Sequence, residues 1–308
     1  MEKVFLIDIG GTNVRYAFAE KGKTSIEKKF KKNIKSENLD KLLEELLTKE
    51  GGKILNLVIS AAGPKIGGVI NMTNRSYEID PIKIKEKFNL KECYLLNDWE
   101  SIAYGHAYLN KQDCINLLNN GANPYNKNSL YFGPGTGLGV CFLLDDQIVI
   151  PSEYGNTNLG VEELIGKDLF KFHKFKSIEE TLSGKAISTI YEIRTGKDLS
   201  AEEIFLQAKN DDLVANEILQ EFIERLAIIL SDLTLSFLPG RGIYLAGNLT
   251  RSLKDFINVD FFENKFLSNK VGAHLELLRN TSIKIIMKEH SPLYGNLNYF
   301  NLSQKGLV

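Results

Sequence analysis

The chain has 308 residues, of which 43% are hydrophobic and 25% charged, with a formal net charge of −1. That length supports one large α/β unit or two domains with full cores, and the charge balance leaves no electrostatic footprint for nucleic acid or an anionic membrane. Three cysteines, Cys93, Cys114 and Cys141, are too far apart for C-x-x-C metal or redox spacing, so each reads as a small buried hydrophobe.

In chain order, VFLIDIGGTNVRYAFAE (Val4–Glu20) reads as two apolar strands around an Asp-Ile-Gly-Gly-Thr-Asn turn. The N-terminus opens directly on that strand, with no signal peptide ahead of it, and a cytoplasmic protein is expected. EKKFKKNIK (Glu27–Lys35) reads as a solvated strand and loop. Leu39, Leu42, Leu43, Leu46 and Leu47 share one helical face, ended by Gly51-Gly52. ILNLVISAAG (Ile54–Gly63) is a buried strand running into small residues. CYLLNDW (Cys93–Trp99) is another strand, stopped by Asn97-Asp98, with a helix from about Glu100 to Tyr108. The Asn, Gly and Pro of INLLNNGANPYNKNS mark a domain edge.

SLYFGPGTGLGVCFLLDDQ (Ser129–Gln147) then repeats the first plan: strand, Gly-rich turn with a threonine, strand. Ser200-x-x-Glu203 is a capping box. DDLVANEILQEFIERLAIILSDLTLSFL is one long amphipathic helix stopped by Pro239-Gly240, and GIYLAGNLT (Gly242–Thr250) is strand followed by a Gly turn. Two related halves of alternating strands and helices predict an α/β protein of two domains, with mixed sheets flanked by helices and a cleft between them. The expected division is a smaller domain of 1–108 plus 292–308 and a larger one of 109–291.

The glycines of neither hairpin fit G-x-G-x-x-G, and no Walker A sequence is present. Bare backbone N–H groups in two such turns nevertheless suit nucleotide phosphates. Asp8 beside the first turn can hold Mg²⁺ directly or through water. Asp98 ends a buried strand, where α/β proteins place ligands. A carboxylate there can take a proton from a hydroxyl nucleophile, or can serve as the N-cap of the next helix; spacing alone leaves both open. By itself Glu179 reads as a helix-surface charge.

Seven motifs in order resemble those of bacterial-type glucokinases, the hexokinase branch of the actin-like ATPase superfamily, whose domains are ribonuclease H-like. DIGGTNVR and GPGTGLG resemble the two phosphate motifs, NMTNRSY the loop beside the sugar, and LLNDW the strand end with the catalytic aspartate. PSEYGN and EETLSG resemble the sugar-binding segments, and GIYLAGN the adenosine motif. The resemblance implies ATP-dependent phosphorylation of the 6-hydroxyl of glucose or a related hexose, with ATP and Mg²⁺ as cofactors, and a homodimer. It implies Asp98 as catalytic base, with Asn97, Asn74, Glu153, Asn156 and Glu179 beside it on the sugar. On the nucleotide it places Asp8, Gly10, Gly11, Thr12, Asn13, Gly135, Thr136, Gly137, Gly247 and Asn248, with Asp8 meeting Mg²⁺ through water.

Three positions depart from the family pattern. Asn156 stands where the family has a histidine that touches the sugar, Asn248 where it has a second glycine, and HSPLYGNLNYF follows its Gly/Ala-rich closing helix only loosely. Asn156 keeps alive a kinase for another hexose, such as mannose or an amino sugar, and a non-catalytic sugar-responsive protein of the same fold. The four histidines form no spaced cluster, and no helix-turn-helix precedes the first strand, which argues against the zinc-bearing and DNA-binding relatives.

Overall fold

A computed structural model describes residues 2–10, 13–33, 38–48, 54–72, 77–119, 124–289 and 291–308, without the side chains of 167, 168 and 170. The chain divides into two compact units. Met1–Leu109, Asp146–Pro151 and Lys288–Val308 form the first; Asn110–Asp145 and Ser152–Met287 form the second.

The first unit begins with β1 (Lys3–Ile9), β2 (Asn13–Glu20) and β3 (Ile26–Asn33), followed by α1 (Leu39–Thr48) and β4 (Asn56–Ala61). Three short strands, β5 (Lys65–Ile66), β6 (Val69–Asn71) and β7 (Glu78–Ile79), make a small sheet of their own. Then come α2 (Pro81–Lys87), β8 (Glu92–Asn97) and α3 (Asp98–Tyr104). The main sheet runs β3-β2-β1-β4-β8, with β1, β4 and β8 parallel and the β1–β2–β3 meander antiparallel. β1 and β4 are apolar almost without interruption because both faces of a central parallel strand are covered. β3 is one edge: Lys28, Lys29 and Lys31 face solvent, which discourages another strand from pairing there.

The helix after β8 starts earlier than its sequence pattern suggests. Asn97 is the N-cap and Asp98 the first helical residue; the α-helix ends at Tyr104 and a 3-10 turn, Gly105–Tyr108, continues it. Asn97 Oδ1 accepts from the Trp99 N–H, and the Glu100 side chain accepts from the Asn97 N–H, a capping box that uses Asn97 rather than Asp98.

In the second unit, β9 (Cys114–Leu118) is followed by the hairpin β10 (Ser129–Pro134) and β11 (Leu138–Leu144). β12 (Ile148–Ser152) straddles the boundary, its residues up to Pro151 counting with the first unit. Helices α4 (Val161–Ile165), α5 (Lys167–Phe172), α6 (Gly184–Thr195), α7 (Ala201–Lys209) and α8 (Leu213–Phe237) come next. After them follow β13 (Gly242–Leu245), α9 (Asn248–Leu253), α10 (Val259–Leu267), α11 (Gly272–Arg279) and β14 (Ile283–Ile286). Within this unit the sheet order is β11-β10-β13-β14-β9, with β10, β13 and β14 parallel. The apolar face of α8 (Ile218, Phe222, Leu226, Leu230) is fully buried in this unit's core. Ser200 and Glu203 cap α7 reciprocally. The chain then returns to the first unit with α12 (Ser291–Ser303). No described helix is long and apolar enough to cross a membrane.

Candidate active site

Register places the polar residues of the first unit. Ile9, Ala61 and Asn97 lie in one row across β1, β4 and β8, so the Gly10 turn, the loop after Ala61 and Asp98 all leave the sheet at its carboxyl edge. One residue back, Asp8 stands opposite Arg15 on β2 and Ser60 on β4. Both partners reach it: Arg15 Nη1 donates to Asp8 Oδ2 at 3.0 Å and Ser60 Oγ to Oδ1 at 3.1 Å. Asp8 is only 4% exposed, so these two bonds compensate the desolvation of its charge.

Asp98 is half-buried, at the first position of α3, where the positive end of the helix favours a carboxylate. Its neighbour Asn97 is held on both sides. Its oxygen caps α3, while Nδ2 donates to the Gly63 carbonyl at 2.8 Å, leaving one N–H and one lone pair for a ligand. Behind them Lys65 Nζ bonds both oxygens of the buried Glu100, at 2.9 and 2.8 Å. The carboxylate that closes the cap of α3 is therefore itself neutralised from the small sheet.

The second unit holds the other candidates. Its Gly-rich turn, 135–137, and the Gly247–Asn248 turn follow the ends of adjacent parallel strands, with Phe132 opposite Leu245. Gly247 has φ 106°, a conformation for which glycine is suited, whereas Asn248 is the first residue of α9. The left-handed geometry thus falls on Gly247, and the asparagine at 248 costs the turn nothing. Asn248 Oδ1 instead accepts from Arg251, whose Nε donates to the Ile286 carbonyl.

The 135–137 turn is stitched to two further loops of this unit. The Gly184 N–H donates to the Gly135 carbonyl, the Glu179 N–H to that of Gly155, and the Ile178 N–H to that of Thr157. The half-buried Glu179 carboxylate accepts from the Leu138 N–H at 2.7 Å. So Glu179 lies in a turn against the 135–137 loop, not on a helix surface. A methyl on Gly137 would meet its carboxylate, and one on Gly155 would lie 2.5 Å from the Leu138 carbonyl oxygen. Asn156 is exposed in a 3-10 turn and donates to Glu153 Oε2 at 3.1 Å, bracing the glutamate three residues before it.

Part of the expected phosphate cradle has other duties. The Gly10 N–H donates to Asn13 O and the Gly135 N–H to Gly137 O, each closing its own turn. The Thr136 and Gly137 amides are the ones the second turn does not use itself. Gly11, Thr12 and Asn74 lie outside the described residues.

Several residues that shape these loops escaped the sequence reading. Arg225, on α8 and 4% exposed, donates from Nε to the Thr181 carbonyl beside the Glu179 turn, and burial pushes its guanidinium down to about 10. Nothing in the sequence marks it. Arg15 and Glu100 did leave signals, a hairpin partner to Asp8 and an Asn-x-x-Glu cap. Cys93 is a packed thiol pushed up to about 12 by burial, as suits a structural cysteine.

The family model for glucokinase matches residues 5–302. A glucokinase of Marinobacter nauticus is 26% identical over 306 residues, spanning 94% of each chain. A glucokinase crystal structure from an Antarctic psychrotroph superimposes with a TM-score of 0.80 at 24% identity, covering 97% of this chain and 99% of that one. A glucokinase of the ROK family from Streptomyces griseus, in complex with glucose and AMPPNP, superimposes with a TM-score of 0.68 at 16% identity, covering 96% and 98%. With all but a few terminal residues inside the family match, the chain belongs to the glucokinase family.

Proposed function

We propose that this chain is a sugar kinase that transfers the γ-phosphoryl group of ATP to the 6-hydroxyl of glucose. The observation that supports the reading best is the edge of the first sheet, where a fixed carboxylate (Asp8, one residue before the end of β1) and a helix-start carboxylate (Asp98, just after β8) stand at the ends of strands in register. Phosphoryl transfer needs positioning and charge neutralisation more than covalent chemistry, and this edge offers both. Asp98 accepts the proton of the attacking hydroxyl as the bond to phosphorus forms. Asn97 offers its remaining N–H and lone pair to a sugar hydroxyl, and Glu153 and Glu179 accept from hydroxyls of the ring. The Thr136 and Gly137 amides donate to nucleotide phosphates, and the Gly247 turn takes the nucleoside.

Mg²⁺ suits this donor set: it takes one or two protein carboxylates with phosphate oxygens and waters, and Asp8 supplies a carboxylate fixed by Arg15 and Ser60 beside the first turn, which could accept from a metal-held water. When bound, the ion neutralises phosphate charge. We also propose a cytoplasmic location, with which the use of ATP is in keeping. We propose the domain division at 108/109 and 291/292, in keeping with the unit boundaries at Leu109/Asn110 and Met287/Lys288, apart from Asp146–Pro151, which count with the first unit.

A coupled assay across a hexose panel with ATP and Mg²⁺ tests the reading, with glucose the expected best acceptor. Asp98→Asn, nearly isosteric, is expected to keep glucose binding and to lower kcat by about 10²–10⁴-fold. Wild-type turnover by that variant would refute the base assignment.

A further inference from the structure

Asn296 is fully buried within α12, where an amide is tolerated only if its polar atoms are used. Here they are. Nδ2 donates to the Ile7 carbonyl at 3.0 Å and to Ser60 Oγ at 3.2 Å. Oδ1 lies 2.8 Å from Ser101 Oγ, whose proton is shared with the Pro292 carbonyl at 2.6 Å. The Ile7 carbonyl can only accept, so it turns the NH₂ of Asn296 toward β1 and its oxygen toward α3.

That orientation decides where the Ser60 proton goes. Ser60 Oγ has two acceptors, Asp8 Oδ1 at 3.1 Å and Ile7 O at 3.4 Å. Asp8 Oδ1 is the nearer and the charged one, and Asn296 donates both to the Ile7 carbonyl and to a lone pair of Ser60, so the Ser60 proton goes to Asp8. At the other end Ser101 sits one helical turn after Asp98 in α3. Asp8, Ser60, Asn296 and Ser101 thus form a buried polar line from β1 to the helix that starts with Asp98. The backbones meet at the same place: a Cβ on Gly295 would collide with the Ser101 carbonyl, 2.6 Å from its carbon, and lie 3.0 Å from the Gly105 nitrogen.

We propose that Asn296 is a positioning residue, which fixes the Asp8 carboxylate through Ser60 and holds it at a set distance from the Asp98 helix through Ser101. The proposal rests on the kinase reading above for the roles of the two carboxylates. It gives the Asn of the closing segment, where this chain follows its family only loosely, a part in the reaction. Displacement of a reacting group by about 1 Å costs on the order of a hundredfold in rate, so a tie of this kind matters to turnover.

The test compares Asn296→Ala, Ser60→Ala and the double variant with wild type, by thermal melting, steady-state kinetics and calorimetric titration with Mg·AMPPNP and with glucose. Affinity for Mg·AMPPNP is expected to fall about tenfold and kcat by about tenfold or more, while glucose affinity stays within about twofold. The double variant is expected to lose no more than the worse single one, because the two residues act in one line. Ser60→Ala removes a single oxygen and carries the test if Asn296→Ala does not fold. Equal changes for both ligands, no change in either, or multiplicative losses in the double variant would overturn the proposal. A wild type that binds Mg·AMPPNP but phosphorylates no hexose refutes the kinase reading, and the nucleotide titrations still decide for or against Asn296. A wild type that binds neither ligand refutes both.

Discussion

Replacing Gly137 with alanine sets a methyl group against the Glu179 carboxylate, 3.0 Å from its Cδ and nearer still to Oε2. Gly137 does not have a positive φ, so alanine meets no backbone strain there. The obstacle is the end of a flexible side chain, and the simplest relief is for the carboxylate to swing off the Leu138 N–H. A hydrogen bond to a charged group contributes about 1.5–3 kcal/mol. Glu179 is half-buried, so water replaces part of that bond in the free protein, and a stability loss of about 1 kcal/mol is expected. In the sugar complex the carboxylate must return to its place against the methyl. At 1.4 kcal/mol per tenfold, glucose KM should rise about ten- to a hundredfold. A coupled assay at saturating ATP measures KM, and a melting curve checks the fold. A folded Gly137→Ala whose glucose KM stays within twofold of wild type would refute the placement of Glu179 on the sugar.

Gly295→Ala offers no such relief, because the clash is with the backbone of Ser101; a loss of more than about 3 kcal/mol, read by denaturant unfolding, is expected. Lys65→Met leaves the buried Glu100 with the Asn97 N–H alone, and should cost about 1–3 kcal/mol of stability while lowering kcat more than it raises glucose KM. Asn156→His should lower glucose KM with kcat within a few-fold, since an imidazole reaches further than an amide and the contact exists in ground and transition states alike. Kinetics on glucose and its 1- and 2-position variants check this, and an unchanged KM would mark the asparagine as a silent replacement.

What could be read from the sequence was local. The glycine hairpins, the strand ending at Asn97 and the Ser200 cap each depend on residues a few positions apart, where period and turn chemistry act. Choosing Asn97 over Asp98 as the cap needed Glu100, three residues on, and the signal was present. The ties that hold the site were not visible because they cross the chain. Lys65 meets Glu100 across the small sheet, and Asn296 meets Ser60 after most of the sequence has passed. Arg225 on α8 reaches a carbonyl near Glu179 from within a run that reads only as amphipathic helix. The departure at Asn248 is silent for a reason that only the backbone shows: Gly247 takes the positive φ of the turn and Asn248 is already helical.

The return of α12 to the first unit reverses the usual order of folding during synthesis. Domains generally fold as they leave the ribosome, N-terminal part first. Here the second unit is complete once Met287 has emerged, while the first still lacks Lys288–Val308. Until then the buried residues of α12, among them Leu293, Leu297 and Phe300, have not arrived to fill their places, and Asp8 and Ser60 lack Asn296. The N-terminal sheet is made first and finished last. Chains that end at Met287 and stay tethered to the ribosome by an unstructured extension long enough to clear the exit tunnel should therefore show a protease-resistant second unit beside a protease-sensitive first one.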